Sequence, residues 1–400
     1  MIHKLLSYSF PTCLTLSTFS RHGMVFVTVM IVKSYFMKQM IIFSGLCITL
    51  SITCCDKKDK DNNTAAVPIK DTVLTSKLNH PWEILWGPDN FIWMTERTGK
   101  ISRVNPATGA ISPLITITEV NAQSEGGLLG MVLHPNFSTT PQVFVAYNYM
   151  NGSTYQEKIV RYTYNGSALT SPQIILDNIK ASPIHNGCRL LITPDQKLFI
   201  TTGDANDQTN PQNKTALNGK VLRLNLDGSI PADNPIAGSA VWSFGHRNPQ
   251  GLVYANNILY SSEHGPSSDD EINLIEKGRN YGWPNVTGFC NTMDEQSFCM
   301  PANVREPLQA WTPTIAPSGM DYYDNDQIPQ WKNSLLLAVL KNSRLIQLKL
   351  NTAHTAIDSS FDFYVNKYGR MRDICISPEG KVYVCTDNGG DDKIIEVSRR

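Results

Sequence analysis

One pattern runs from about Val67 to the end of the chain and limits its fold more than any other feature. Short β-rich runs bounded by Pro, Asp, Asn and Gly recur, with little trace of helical spacing. The first unit, WEILWGPDNFIWMTERTGKISRVN from Trp82, reads as strand, turn at Pro88-Asp89-Asn90, strand, polar loop, strand. Related units follow, so six leading strands are expected near Trp82, Leu128, Arg189, Pro249, Leu335 and Arg372. A two-sheet sandwich has no need of six similar units of three to four strands. Blades of a propeller do, with long loops inserted between strands. The chain is therefore expected to be all-β, a six-bladed β-propeller over residues 67–400.

The composition agrees with a packed domain. Of 400 residues 41% are hydrophobic, enough for a core, and 18% are charged. Lys+Arg and Asp+Glu both number 35, so no basic surplus exists to hold a polyanion, and nucleic acid is not an expected partner.

The ends of the chain differ in chemistry. Residues 1–54 hold four basic residues (Lys4, Arg21, Lys33 and Lys38), no acidic one, and two apolar runs, both too short to span a bilayer. The second run follows Lys38 and stops at Cys54-Cys55, which is the layout of an export signal, and Met37 reads as its natural start. SITCC followed by DKKDKDNNT resembles a bacterial lipoprotein signal. Residues 1–55 are then a signal region ending in a lipidated cysteine, Cys55 ahead of Cys54, and residues 56–66 a polar tether. The expected location is outside the cytoplasm, periplasmic or on the outer surface, with membrane contact only through that anchor. The plain alternative is a cleaved signal peptide with two incidental cysteines. Without residues 1–54 the chain keeps 31 basic and 35 acidic residues, a charge of about −4, which strengthens the case against nucleic acid.

Propeller chemistry sits on loops at one end of the central channel. HExxH, GxSxG, the phosphate-binding glycine loop and GxGxxG are all absent. The densest polar stretches are SFGHRNPQG (Ser243 to Gly251) and SSEHGPSSDDEINLI (Ser261 to Ile275). They read either as turn caps or as a site. At Gly265-Pro266 the backbone offers carbonyl oxygens beside carboxylates, the hard-oxygen ligands that calcium prefers. His185, just before an apolar strand, is either a base working near neutral pH or a structural histidine bonded to a loop carbonyl. Asp204 ends the paired strand of the same hairpin, where a carboxylate can orient that imidazole. Arg370 and Arg372, two apart, share a side of their strand, and Lys341 ends the apolar run of a neighbouring unit. Three cations there suit a polyanionic ligand; solvated surface charges are the alternative.

HPWEILWGPDNFIWMTERTGKISRVN, EGGLLGMVLHPNF, GKVLRLNLDGSIPADNP, GHRNPQGLVY, EHGPSSDDEINLIEKGRNYGWPNV and PTIAPSG, in this order from about Asn79 to Val397, resemble the soluble sugar dehydrogenases that depend on pyrroloquinoline quinone (PQQ). The resemblance implies a six-bladed propeller with PQQ and Ca2+ at one end of its channel. It also implies oxidation of the C1 hydroxyl of an aldose to a lactone by hydride transfer to PQQ, with the electron acceptor beyond the quinone unidentified. By motif, His185 is the general base, Asp204 its holder, Arg247 the stabiliser of charge on the quinone oxygen, and Asn248 a cofactor contact. Gly265 and Pro266 would offer carbonyls to the catalytic calcium, and Glu271 and Tyr281 match positions near a second, structural one. Lys341, Arg370 and Arg372 would neutralise the three PQQ carboxylates.

The chain departs from the family at two substrate positions. The glutamine before GGLLG is here Glu125, and the aromatic near PTIAPSG is Trp311, one position from where relatives place theirs. Insertions that narrow a glucose pocket are not found, so an open site with broad aldose tolerance is expected. Of the five cysteines in the body, Cys290 and Cys299 pair across a short loop, Cys375 and Cys385 form a weaker pair on one hairpin, and Cys188 is left as a buried thiol. Two other functions compete: a calcium-dependent propeller lactonase, which has no use for a cationic cradle, and a non-catalytic binding propeller, which has no use for the His185, Asp204 and Arg247 set.

Overall fold

The structure, a computed structural model, describes residues 66–400 and, in a separate N-terminal unit, an antiparallel pairing of Phe19–Ser20 with Gly23–Met24. The expected signal region, Cys55 and the tether otherwise lie outside the described residues.

Six four-stranded antiparallel sheets make six blades. The first blade is Pro81–Trp86, Ile92–Glu96, Lys100–Val104 and Ile111–Thr116. The second is Leu128–Leu133, Gln142–Asn151, Thr154–Tyr164 and Leu169–Lys180. Gly187–Ile192, Lys197–Thr202, Lys220–Asn225 and Val241–Phe244 form the third. Pro249–Ala255, Ile258–Glu263, Asp270–Ile275 and Gln309–Trp311 form the fourth. The fifth is Pro317–Tyr323, Ser334–Val339, Arg344–Leu350 and Ile357–Phe363. The sixth takes Met371–Ile376, Val382–Thr386 and Asp392–Arg399 from the end of the chain and Ile69–Leu78 from its start. Each inner strand touches the next, and that of blade six touches that of blade one, so the ring closes.

Sequence and packing explain the layering. The second strands of blades one, five and six, IWMTE, SLLLAV and VYVCT, are buried throughout because both of their faces meet neighbouring blades. The outermost strand IDSSFDF of blade five is mostly exposed and polar. Six apolar clusters fill the six seams between blades. Trp93, Ile101, Met131 and Val143 join blades one and two, for example, and Tyr323, Leu336, Ile374 and Val384 join five and six. At the hairpin Gly87-Pro88-Asp89-Asn90, Asn90 takes φ +61°, the left-handed conformation that asparagine tolerates, and its N–H returns to the Gly87 carbonyl.

Five leading strands lie where the repeats place them, but the fifth does not. Leu335 stands in the second strand of its blade, and Pro317–Tyr323 leads. The buried second strand has the stronger apolar run, whereas the inner one opens on Pro-Ser-Gly and carries little hydrophobic signal. The closing strand Ile69–Leu78 was likewise not visible in the repeat. Its partner across the ladder lies more than 300 residues away, Ile69 opposite Arg399.

Cys290 and Cys299 are disulfide-bonded, which ties the helix Met293–Ala302, inserted in blade four and containing Cys299, to the loop before it. Cys375 and Cys385 are separate buried thiols, as is Cys188. In the ladder Cys375 faces Tyr383 and Cys385 faces Asp373, so the expected pair is out of register.

Candidate active site

All six inner strands carry a register shift in their first residues: Pro81/Glu83, Leu128/Met131, Gly187/Leu190, Pro249/Gly251, Pro317/Met320 and Met371/Asp373. A bulge re-aims the side chains around it. Here six of them surround one end of the channel, where a cavity of about 330 Å³ opens. Trp82, Leu129, Gly187, Gln250 and Arg372 line it from the starts of five inner strands, and Ala316 stands just before the sixth.

Arg370, Arg372 and Lys341 all line this cavity, so the structure brings the three predicted cations together. They are not equivalent. Arg372 is buried, its Nη2 2.5 Å and its Nε 3.1 Å from Asp387 Oδ2, while its Nη1 reaches Gln250 and Ser318. Burial works against the charge of Asp387, yet Arg372, His80 and Arg97 outweigh it and hold the carboxyl well below its ordinary range. Arg370 and Lys341 are exposed, and among the described residues their side chains bond only to the Asp387 carbonyl, 3.1 Å, and the Thr314 hydroxyl, 3.0 Å, respectively. The Arg372 guanidinium lies 6.0 Å from the Trp82 ring, and that of Arg189, which is paired to Glu83 and Asp373, lies 4.2 Å from it.

The hairpin that carries His185 and Asp204 folds as expected. His185 Nδ1 and Asp204 Oδ1 are 2.9 Å apart. Asp204 is 1% exposed, and its second oxygen accepts the Trp283 indole N–H at 2.9 Å. Glu125, on the cavity wall, accepts the backbone N–H of His185 at 3.2 Å. Arg247 extends over the Trp283 ring, 5.3 Å from its centroid, and its Nη1 donates to the His264 carbonyl. Loss of hydration pulls the Arg247 pKa down against the surrounding Asp204, Glu263, Glu125 and Asp270. Asn248 turns its carbonyl to Gly187 N and Gln250, and its buried Nδ2 has no partner among the described residues.

Gly265, Pro266, Glu271 and Tyr281 gather in an adjoining depression with Glu263 and Asp269, joined to the main cavity through His264. Burial, then the neighbouring Glu263, pushes Glu271 up to about 8. Three carboxylates, Glu263, Asp269 and Glu271, against one cation, Arg247, make a donor set that fits a hard cation. His264 has the opposite shift, held down to about 3 by burial and by Arg372, so it is neutral beside the cations.

Trp311 is the one predicted site residue that the structure places elsewhere. It ends the outermost strand of blade four opposite Asp270 and packs against the seam with blade five, away from the cavity wall. The sequence reading also missed Arg97, Gln250, His264 and Asp387, all on the cavity wall. Arg97 and Asp387 each follow directly on an apolar strand, Ile92–Glu96 and Val382–Thr386, and a charge at such a strand end was the available signal. The orphaned Asn248 Nδ2, together with the open donors of Arg370 and Lys341, fits an acceptor-rich anion such as PQQ.

Comparison with known proteins places this geometry. The profile of the Glucose / Sorbosone dehydrogenase family matches residues 78–396. The chain is 35% identical to quinoprotein glucose dehydrogenase B of Acinetobacter calcoaceticus, over 80% of this chain and 85% of that protein. It is 32% identical to the aldose sugar dehydrogenase YliI of Escherichia coli, over 84% of this chain and 94% of that one. The PQQ-bound aldose sugar dehydrogenase of Streptomyces coelicolor superposes with a TM-score of 0.72 at 31% identity, covering 84% of this chain and 99% of that structure. This chain, a six-bladed propeller with a cation-lined cavity at one end of its channel, belongs to the glucose/sorbosone dehydrogenase family.

Proposed function

We propose that the protein oxidises the C1 hydroxyl of aldose sugars to the lactone, using PQQ and calcium. The observation that carries this reading is the His185–Asp204 pair beside a cavity rich in cations. PQQ would be held by Arg370, Arg372 and Lys341 with Asn248 and Arg247 beside it, and calcium by the carbonyls of Gly265 and Pro266. When bound, they supply a hydride acceptor and a Lewis acid.

The rest is the work of side chains. Asp204 accepts from Nδ1–H of His185, which fixes the neutral tautomer with its lone pair on Nε2. That nitrogen takes the C1 hydroxyl proton, and Asp204 stabilises the imidazolium that results. The Trp283 N–H keeps Asp204 from turning away. Arg247, stacked on the same indole, presents a preorganised positive charge where negative charge develops. Glu125, in place of the family glutamine, adds a carboxylate at the sugar-binding rim and braces the backbone of His185.

A calcium lactonase has no need of four cations on its cavity wall, and the cavity composition favours the dehydrogenase. The chemistry of residues 1–55 supports an exported protein anchored through Cys55. The test is reconstitution. Purified apoprotein gains dye-linked oxidation of glucose or another aldose only when PQQ and Ca2+ are both added, and His185→Ala keeps PQQ binding but loses most turnover. No PQQ uptake by absorbance titration together with no activity overturns the reading.

A further inference from the structure

Four cations line the cavity, Arg97, Lys341, Arg370 and Arg372, and among the described residues only Arg372 is in an ion pair. Its partner Asp387 is as buried as Arg372 itself. A buried contact of this kind is screened little by solvent, so Arg372 presents the cavity with a charge already matched. Four of its five N–H donors are also taken, two by Asp387 and one each by Gln250 and Ser318. Asp387 is in turn fixed from its far side by His80, whose Nδ1 is 2.6 Å from Oδ1.

Arg97 is the reverse case. Its backbone is clamped on both sides, its N–H donating to the His80 carbonyl at 3.0 Å and its own carbonyl accepting from Leu128 N at 2.9 Å. Its guanidinium gives Nη1 to the Ser124 carbonyl at 2.6 Å, and its buried Nε has no partner. Among the described residues no carboxylate forms an ion pair with it. Glu125 and Asp387 act on it only through space, alongside the repulsion of Arg370 and Arg372. A guanidinium held next to two others, with open donors and no counter-ion, is arranged to meet an anion that arrives from outside.

We propose that Arg97 is a further PQQ-binding residue, which with Lys341 and Arg370 offers uncompensated positive charge to the carboxylates of PQQ, while Arg372, its charge matched by Asp387, holds the cofactor through the one donor it has left. This rests on the function proposed above. Arg97 is then a cofactor-binding residue, and Asp387 sets how much charge Arg372 can offer.

The experiment is a fluorescence-quenching titration of calcium-loaded apoprotein with PQQ, with thermal unfolding run alongside to verify the fold. Arg97→Gln is expected to weaken PQQ binding by about tenfold or more, the loss of one charge-assisted contact. Arg97→Lys, which keeps the charge, is expected to recover most of it. The double variant Arg97→Gln with Asp387→Asn is expected to bind more tightly than Arg97→Gln alone, because the charge of Arg372 is then released. A purely structural Arg97 leaves the PQQ affinity of a folded Arg97→Gln variant close to wild type. Arg97→Gln within about twofold of wild type, or a double variant no tighter than the single one, overturns the inference while wild type still binds PQQ. Should Arg97→Gln not fold, Arg97→Lys together with Asp387→Asn decides: Asp387→Asn must bind at least as tightly as wild type and Arg97→Lys nearly so, and weaker binding by Asp387→Asn overturns the charge assignment. Wild type that takes up no PQQ brings down the proposed function, and this inference with it.

Discussion

Trp283 and Asp204 are joined by an indole N–H that lies 2.9 Å from the carboxylate oxygen left free by His185. The same indole lies under the Arg247 guanidinium. One side chain, on the loop after blade four's third strand, thus contacts both the carboxylate that holds the proposed base His185 and the guanidinium proposed to meet negative charge. Trp283→Phe keeps the ring and deletes the N–H, so Asp204 loses one of its restraints. A drop in kcat of about tenfold is expected, from a lost hydrogen bond to a charged group, with PQQ affinity close to wild type. Steady-state kinetics at saturating PQQ and Ca2+ check this, and an unchanged kcat removes the indole from the mechanism.

Glu157 gives the protein a stability that falls as pH rises. It is 1% exposed, its Oε1 has no hydrogen-bond partner among the described residues, and burial, opposed only by the Cys188 thiol, pushes its pKa up to about 8 from 4.5. Below pH 4.5 both folded and unfolded chains carry the proton. Between 4.5 and about 8 only the folded chain does, so unfolding releases it and stability declines, by at most about 1.4 kcal/mol per pH unit for this one group. Glu157→Gln is expected to flatten that slope. Its gain in melting temperature over wild type should be larger at pH 8 than at pH 5, and an equal gain at both rejects the assignment.

Leu78, 1% exposed, ends the strand that closes blade six and packs with Ile84, Ile92 and Cys385 in the seam with blade one. Leu78→Ala is expected to cost about 2–5 kcal/mol by the cavity it leaves. Chemical denaturation measures this, and a cost near zero means that the seam is not needed for closure.

The helix Met293–Ala302 has no buried residue, and its Thr292 capping box and the Cys290–Cys299 bond hold it in place. Cys299→Ser is therefore expected to speed amide exchange over residues 293–302 while leaving the global melting temperature nearly unchanged, since no apolar seam depends on the helix. A large global shift rejects this local role.

The sequence disclosed what depends on local order. His185 and Asp204 sit on one hairpin, so their contact was readable from strand and turn residues, and Arg370 and Arg372 belong to one strand start. Relationships formed across the ring were not readable. Arg97 joins the cavity from blade one, and Trp283 reaches Asp204 from 79 residues away, whereas the Arg372–Asp387 pair lies on one hairpin and is local. Trp311 misled for the same reason. Its spacing from PTIAPSG is local, but whether an outer-strand aromatic faces the channel or a seam is set by the fourth strand of its blade.

Closure by Ile69–Leu78 also bears on how the protein comes into being. Sheet six needs Asp392–Arg399, the last strand of the propeller in chain order, to find the first one. Until that strand is available the ring stays open, with a blade edge unsealed and a long-range pairing, a slow class of contact, still to be formed. A nascent chain of this design cannot complete its propeller before residue 399 has been made, so Ile69–Leu78, the earliest strand of the ring, waits longest for its partner.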